Sequence, residues 1–146
     1  MTDLKDHPIV QGYIKNNHFG AMLDMSFEMV DPGNVLYSMQ ISEKHLATPI
    51  AAHGGAVCAM MDATMGVCAL SEVIRENQVV STIEMKISFV VPALVGDVLR
   101  GTAVTVKKGS RLIFVEGKIH NQDQKLVATA SGTFNSYPSS KAGFRV

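Results

Sequence analysis

The sequence predicts an α+β domain in which a curved antiparallel sheet wraps around one long helix, and three observations predict it. Residues 56–70 are small or apolar throughout apart from Asp62 and Thr64, and the helix they imply runs from about 54 to 75 or 76. Residues 82–91 alternate between apolar and polar positions, which is the period of a strand. Three further strand-like segments follow at even spacing, joined by short polar connections of the kind that link antiparallel neighbours.

Taken in order, residues 9–22 carry Val10, Tyr13, Ile14 and Met22 at a loose helical spacing and predict a short helix. Residues 25–30 and 35–41 flank Asp31-Pro32-Gly33-Asn34, whose residue types favour tight reversal, and predict a hairpin. Residues 45–52, with Pro49, connect that hairpin to the long helix, whose end is marked by Asn77. In the strand at 82–91, Ile83, Met85, Ile87, Phe89 and Val91 make one face. Thr82, Glu84, Lys86, Ser88 and Val90 make the other, and Pro92 ends the strand. Strands at about 97–107, 111–120 and 126–135 complete a four-stranded meander through Lys108-Gly109-Ser110 and Asn121-Gln122-Asp123-Gln124.

Gly101, Gly117 and Gly132 lie inside those three strands at near-equal intervals, where glycine marks a bulge or bend, so the sheet is expected to curve strongly. Gly55, Ala59, Ala63 and Gly66 fall near one helix face, and their small size is expected to let the sheet approach it closely. From Ser136 onward the chain reads as a loose tail.

The 146 residues fit one domain, 1–146, with its core at about 23–135. Lysine and arginine number 13 and so do aspartate and glutamate, which leaves no basic excess for a nucleic-acid partner. Cys58 and Cys68 stand ten apart with no completing cluster of ligands, so they read as reduced core thiols, no metal is expected, and the cytoplasm is the expected location. The charged N-terminus, and the lack of an apolar run approaching the ~18 residues of a spanning helix, predict no membrane association.

The chemistry concentrates at His53-Gly54-Gly55 and at Asp62. Two glycines at a helix start present backbone N–H groups at a partly positive terminus, which suits a developing oxyanion. A lone carboxylate in an apolar stretch is costly unless it is paired or has a task. Eight residues of helix separate Gly54 from Asp62, roughly 12 Å at the ordinary rise. A base must reach its water within about 3 Å, and that water must stand about 3 to 3.5 Å from the carbonyl carbon. One chain's Gly54 and Asp62 are too far apart for that. Two antiparallel helices across a two-fold axis bring Gly54 of one chain to Asp62 of the other, and the expectation is a symmetric homodimer with two shared sites.

These residues resemble the hotdog-fold thioesterases, in particular the phenylacetate-pathway type of acyl-CoA thioesterase. The likeness rests on His53-Gly54-Gly55, on Asp62 nine residues after the histidine, on the small-residue helix, and on Thr82 with the following strand up to Pro92-Ala93, and it spans about 25–134. It implies a hotdog fold and hydrolysis of acyl-CoA to free acid and coenzyme A by a homodimer or dimer of dimers, with no cofactor beyond the coenzyme A of the substrate. Carried over, Gly54 with Gly55 supplies N–H to the carbonyl oxygen, Asp62 activates water or attacks directly, and Thr82 orients the water or the carboxylate. His53 reads either as a structural residue of the turn or as a participant in the chemistry.

An asparagine that the family commonly has six residues before the histidine is Ala47 in this chain, with Thr48 or His45 as the available substitutes for holding the substrate. Lys107, Lys108 and Arg111 flank a hairpin turn and read either as a solvated tip or as contacts for the coenzyme A phosphates. Met65, with Met60 and Met61, reads as core or interface filler or as the lining of an adaptable acyl pocket. Two other functions compete with thioester hydrolysis. One is non-catalytic binding of acyl-CoA or an acyl chain. The other is a hydratase or dehydratase of the same fold, for which the expected aspartate and histidine arrangement is missing.

Overall fold

A computed structural model of the chain describes residues 3–145. After a 3₁₀ turn at Leu4–Asp6, its first α-helices are α1 (Pro8–Asn16) and α2 (His18–Met22). The single helix expected at 9–22 is thus two short ones, because Asn17 leaves helical geometry at φ −80° and ψ 66° and its side chain accepts the N–H of Gly20, capping α2. The expected hairpin forms from β1 (Ser26–Asp31) and β2 (Asn34–Gln40), with Gly33 in the left-handed region at φ 76°. The long helix α3 (Gly54–Val73) follows, and a short 3₁₀ turn over Ile74–Glu76 prolongs it until Asn77 reverses the chain at φ 56°.

The remaining strands are β3 (Gln78–Phe89), β4 (Val98–Lys108), β5 (Leu112–His120) and β6 (Leu126–Pro138). They join β1 and β2 in one antiparallel six-stranded sheet of order β1-β2-β4-β5-β6-β3. The meander is therefore three strands long rather than four. β3 leaves sequence order and pairs with β6 at the far edge, so its other edge is open. The expected loose tail is ordered too. β6 continues through Ser136 to Pro138, the Ser139 N–H donates to the Asn77 carbonyl at 3.0 Å, and Ser139 is buried.

The helix lies against one face of this sheet, but with a different side from the one expected. Met60, Met61, Thr64, Met65 and Cys68 are buried beneath the strands, while Cys58, Ala59, Asp62, Ala63 and Gly66 are only half-buried and Gly55 is exposed. Room for the large side chains comes from the strand glycines. A Cβ on Gly101 would stand 2.4 Å from Thr64 Oγ1, one on Gly117 2.8 Å from Met65 Cγ, and one on Gly132 3.2 Å from Met65 Cε. No register shift falls at these glycines, so they mark close approach of the helix rather than bulges.

By length and composition α3 with its 3₁₀ extension, Gly54–Glu76 at a mean hydropathy of 1.6, is long and apolar enough to cross a membrane, contrary to the sequence-based expectation. Two-thirds, 67%, of its most apolar 18-residue window is buried inside the protein, the state of a core helix wrapped by its own sheet.

Candidate active site

The start of α3 is fixed by the chain on either side of it. The N–H of His53 donates to the His45 carbonyl at 2.6 Å, and that of Ala52 to the Ala93 carbonyl at 2.8 Å. His53 itself, extended at φ −61° and ψ 135°, caps the helix, its Nδ1 accepting the N–H of Gly55 at 2.7 Å. That bond has two consequences. The proton of the neutral imidazole resides on Nε2, which makes exposed His53 a donor on its solvent side. The Gly55 N–H is already used, so the expectation that both glycines face a substrate oxygen reduces to Gly54. Among the described residues no partner is present for the Gly54 N–H, and the Phe89 ring stands beside that glycine, 3.5 Å from where a Cβ would lie.

Eight residues along the helix, the half-buried Asp62 accepts a hydrogen bond from Thr82 Oγ1 at 2.6 Å. The contact depends on a bulge in β3. Opposite β6, Thr82 pairs with Phe134 and Glu84 with Thr133, so Ile83 is left over and the facing of the strand changes there. Phe134 points into the core, and Thr82 shares its side. Strict alternation would send Thr82 outward with Glu84 and Lys86. The same bulge leaves Ile83 55% exposed, where the sequence pattern put it on the buried face.

A cavity of about 210 Å³ begins at Asp62 and Thr82 and runs toward the C-terminal end of α3. Ala63, Gly66 and Leu70 of α3, Val79 and Val80 of β3 and Tyr13 of α1 line its length, and Phe144, which also lies beside Glu76 and Asn77, stands toward the C-terminal end of α3. Two of the small helix residues, Ala63 and Gly66, therefore line a space. No sequence pattern singles out Tyr13 and Phe144, since they come from the two terminal segments and meet only in the folded chain.

Two thiols and two phenols report on the electrostatics. Burial pushes the Cys58 thiol up, and the charge of Asp62 one turn away pushes it further. Cys68 is raised mainly by burial. The hydroxyls of Tyr13 and Tyr37 are likewise held neutral by burial, and Tyr13 accepts from Asn17 Nδ2 at 3.1 Å.

The other expected site residues are dispersed. Thr48 is exposed, and its hydroxyl accepts the N–H of Ala51 at 2.9 Å within the loop before α3. His45 is buried with both ring nitrogens used, Nδ1 accepting from the Ser42 N–H at 3.0 Å and Nε2 donating to the Leu23 carbonyl at 2.8 Å, so it is a structural residue and no substitute for the asparagine. Met65 is 0% exposed, lies on the sheet side of α3 and is not part of the lining of this cavity. Lys107, Lys108 and Arg111 do cluster at the β4–β5 turn, but by the other end of α3. Lys108 pairs with Glu76 at 2.6 Å and with the Glu72 carbonyl at 2.8 Å, and Arg111 donates to Asn135 at 3.2 Å.

Residues 51–128, which include the capped helix, Asp62 and Thr82, match the family described as the thioesterase superfamily. The chain belongs to this superfamily. The thioesterase is 31% identical over 101 residues to a candidate esterase of Pseudomonas aeruginosa, a match covering 69% of its own length and 74% of the relative's. Among solved structures it is similar to the PaaI protein of the E. coli phenylacetic acid degradation operon, with a TM-score of 0.80 and 22% identity over 87% of this chain and 89% of that one. The Haemophilus influenzae thioesterase HI1161 gives a TM-score of 0.79 at 13% identity, over 90% and 91% of the two chains. The smu.793 protein of Streptococcus mutans, solved bound to acetyl-CoA, gives 0.70 at 22% identity, over 78% and 89%. The thioesterase therefore has the hotdog fold, and its enzyme class is that of a thioester hydrolase.

Proposed function

We propose that the protein hydrolyses acyl-coenzyme A thioesters at two composite sites of a symmetric homodimer. The observation that carries this reading is the separation of two chemically complementary groups. A free Gly54 N–H and a Thr82-held Asp62 lie eight residues apart on one helix, roughly 12 Å, beyond the reach of a single carbonyl group. Antiparallel pairing of two such helices joins the N–H of one protomer to the carboxylate of the other. The half-buried Cys58 and Ala59 of α3 and the open edge of β3 offer the surface for that pairing. The exposed Val104, Val106 and Phe114 on the outer sheet face support a further pairing of dimers.

The chemistry needs few groups because a thioester carbonyl is electrophilic and a thiolate leaves readily. Asp62 takes a proton from water as the water oxygen bonds to the carbonyl carbon. The Gly54 N–H and the helix terminus stabilise the oxyanion. Collapse of the intermediate breaks the carbon–sulfur bond, and the proton held by Asp62 passes to the departing thiolate. The products are a free acid and coenzyme A. This chemistry calls for no cofactor beyond the coenzyme A carried by the substrate.

Coenzyme A as the thiol carrier is supported by the acetyl-CoA bound to the Streptococcus mutans neighbour. Lys107, exposed and with no ion pair among the described residues, is assigned to the coenzyme A phosphates. The free thiols of Cys58 and Cys68 suit the reducing cytoplasm. Thiol release from a panel of acyl-CoAs tests the reading. The wild type is expected to turn several of them over, and Asp62→Ala is expected to lose that turnover; an unchanged rate in Asp62→Ala would end the role assigned to the carboxylate.

A further inference from the structure

The cavity that opens at Asp62 bears on which acyl groups the enzyme takes. Resting on the thioesterase reading, we infer that this cavity is the acyl pocket, that it accepts a neutral tail of about six to eight carbons, and that the C-terminal segment sets its depth through Phe144.

Position comes first. The reacting carbonyl must stand within a few ångströms of the water held by Asp62, so its substituent enters whatever space adjoins that carboxylate. The cavity adjoins it, with Asp62 and Thr82 at its mouth. Its floor follows the helix away from the mouth by way of Ala63, Gly66 and Leu70, three positions one turn apart on the same face. A helix with large side chains there would have no pocket.

Size and polarity follow from the lining. An apolar cavity of about 150 Å³ holds a six-carbon ring, so by proportion about 210 Å³ holds roughly eight carbons. Among the described residues Asp62 is the one charged residue of the lining, and it belongs to the mouth. A carboxylate or ammonium on the acyl tail would be buried there without a partner, which is strongly unfavourable.

The far end is set by the C-terminal segment. Phe144 of the C-terminal segment packs on Gly12 of α1, its ring 3.0 Å from where a Cβ on that glycine would lie. Tyr13, the next residue, reaches the cavity with a hydroxyl tied to Asn17. Removing the Phe144 ring opens the back of the pocket, whereas a larger side chain at Gly66 fills its middle.

The test is the chain-length profile of kcat/KM over saturated acyl-CoAs from acetyl to hexadecanoyl, with glutaryl-CoA as the charged tail. For the wild type, kcat/KM is expected to rise about fourfold per methylene to about eight carbons and then to fall. Glutaryl-CoA is expected to fall well below pentanoyl-CoA, its uncharged match in length. Phe144→Ala is expected to raise the dodecanoyl-to-hexanoyl ratio at least tenfold, and Gly66→Leu to lower the octanoyl-to-acetyl ratio by a similar factor. Turnover with a profile that neither substitution moves would overturn this inference alone. An enzyme inert toward the whole series would overturn the acyl-CoA reading along with it.

Discussion

The hydroxyl of Thr82 stands 2.6 Å from the carboxylate of Asp62 because β3 slips by one residue at Ile83. A charge-assisted bond of this kind fixes which carboxylate oxygen remains free for water. Asp62→Asn is expected to lower kcat by about 10²- to 10⁴-fold, the range for loss of a positioned base. Thr82→Val is expected to cost roughly tenfold and Thr82→Ser much less, since serine restores the donor. Steady-state kinetics on the three variants check this, with circular dichroism expected to show an unaltered fold.

At the helix start, the Gly54 N–H can be removed without disturbing the backbone. Gly54 is the first helical residue, where proline is well accommodated, and His53 before it is already extended at ψ 135°, as a residue preceding proline prefers. Gly54→Pro is therefore expected to leave the helix in place and lower kcat by about 10²- to 10³-fold, the usual loss for one oxyanion donor. Gly55→Ala has a different expected effect. A Cβ there would stand 2.8 Å from His53 Nδ1, so it disturbs the cap and lowers thermal stability.

Sharing of the site between protomers has a signature of its own. Mixing Asp62→Ala chains with Gly54→Pro chains, each inactive alone, gives heterodimers with one intact site out of two. After full exchange about a quarter of the wild-type activity is expected to return, because random pairing makes about half the dimers mixed. If each chain contained a whole site, mixing would restore nothing.

The antiparallel register also makes Cys58, midway between Gly54 and Asp62, face its own copy across the axis. A short bis-maleimide is expected to join two chains through Cys58, and Cys58→Ser, but not Cys68→Ser, is expected to abolish the product on a denaturing gel. Because burial and the Asp62 charge push the Cys58 thiol up, its thiolate persists only at alkaline pH, and alkylation is expected to keep accelerating above the usual thiol range. Asp62→Ala removes the like charge, which favours the thiolate, so the same reaction is expected to proceed faster at a given pH.

Packing beneath the sheet yields a stability prediction. A Cβ on Gly101 would stand 2.4 Å from Thr64 Oγ1, and Thr64 is wholly buried and bonded to the Met60 carbonyl at 2.7 Å. Gly101→Ala is expected to destabilise the protein by about 1–3 kcal/mol through overpacking, and Thr64→Ala in the same chain to recover part of the loss. Urea unfolding of the two single variants and the double variant measures it.

Local patterns in the sequence carry much of this structure. The hairpin at Pro32-Gly33, the helix from Gly54, and the pairing of Asp62 with its histidine-glycine start all rest on residue type and spacing, which act within a few residues. What depended on contacts between distant segments was not legible in the same way. The small residues Ala59 and Ala63 identify a distinctive helix face, yet whether a sheet, a cavity or another helix meets it depends on where the strands run. The glycines at 101, 117 and 132 made the same point from the opposite side: they were visible as interruptions, but their partners, Thr64 and Met65, were not. The tail escaped detection as structure because its order comes from pairing with β3 and from the Ser139 bond to Asn77.

By itself the sequence determined that a carboxylate and a helix N-terminus lie eight residues apart on one helix, since the rise of an α-helix is the same wherever the helix sits. Only the tertiary structure decided that Thr82 reaches that carboxylate, and that residues from both ends of the chain line a cavity beside it. The period of a strand assigns faces only while the register holds, and the extra residue at Ile83 is defined by the strand it pairs with, β6, some fifty residues away.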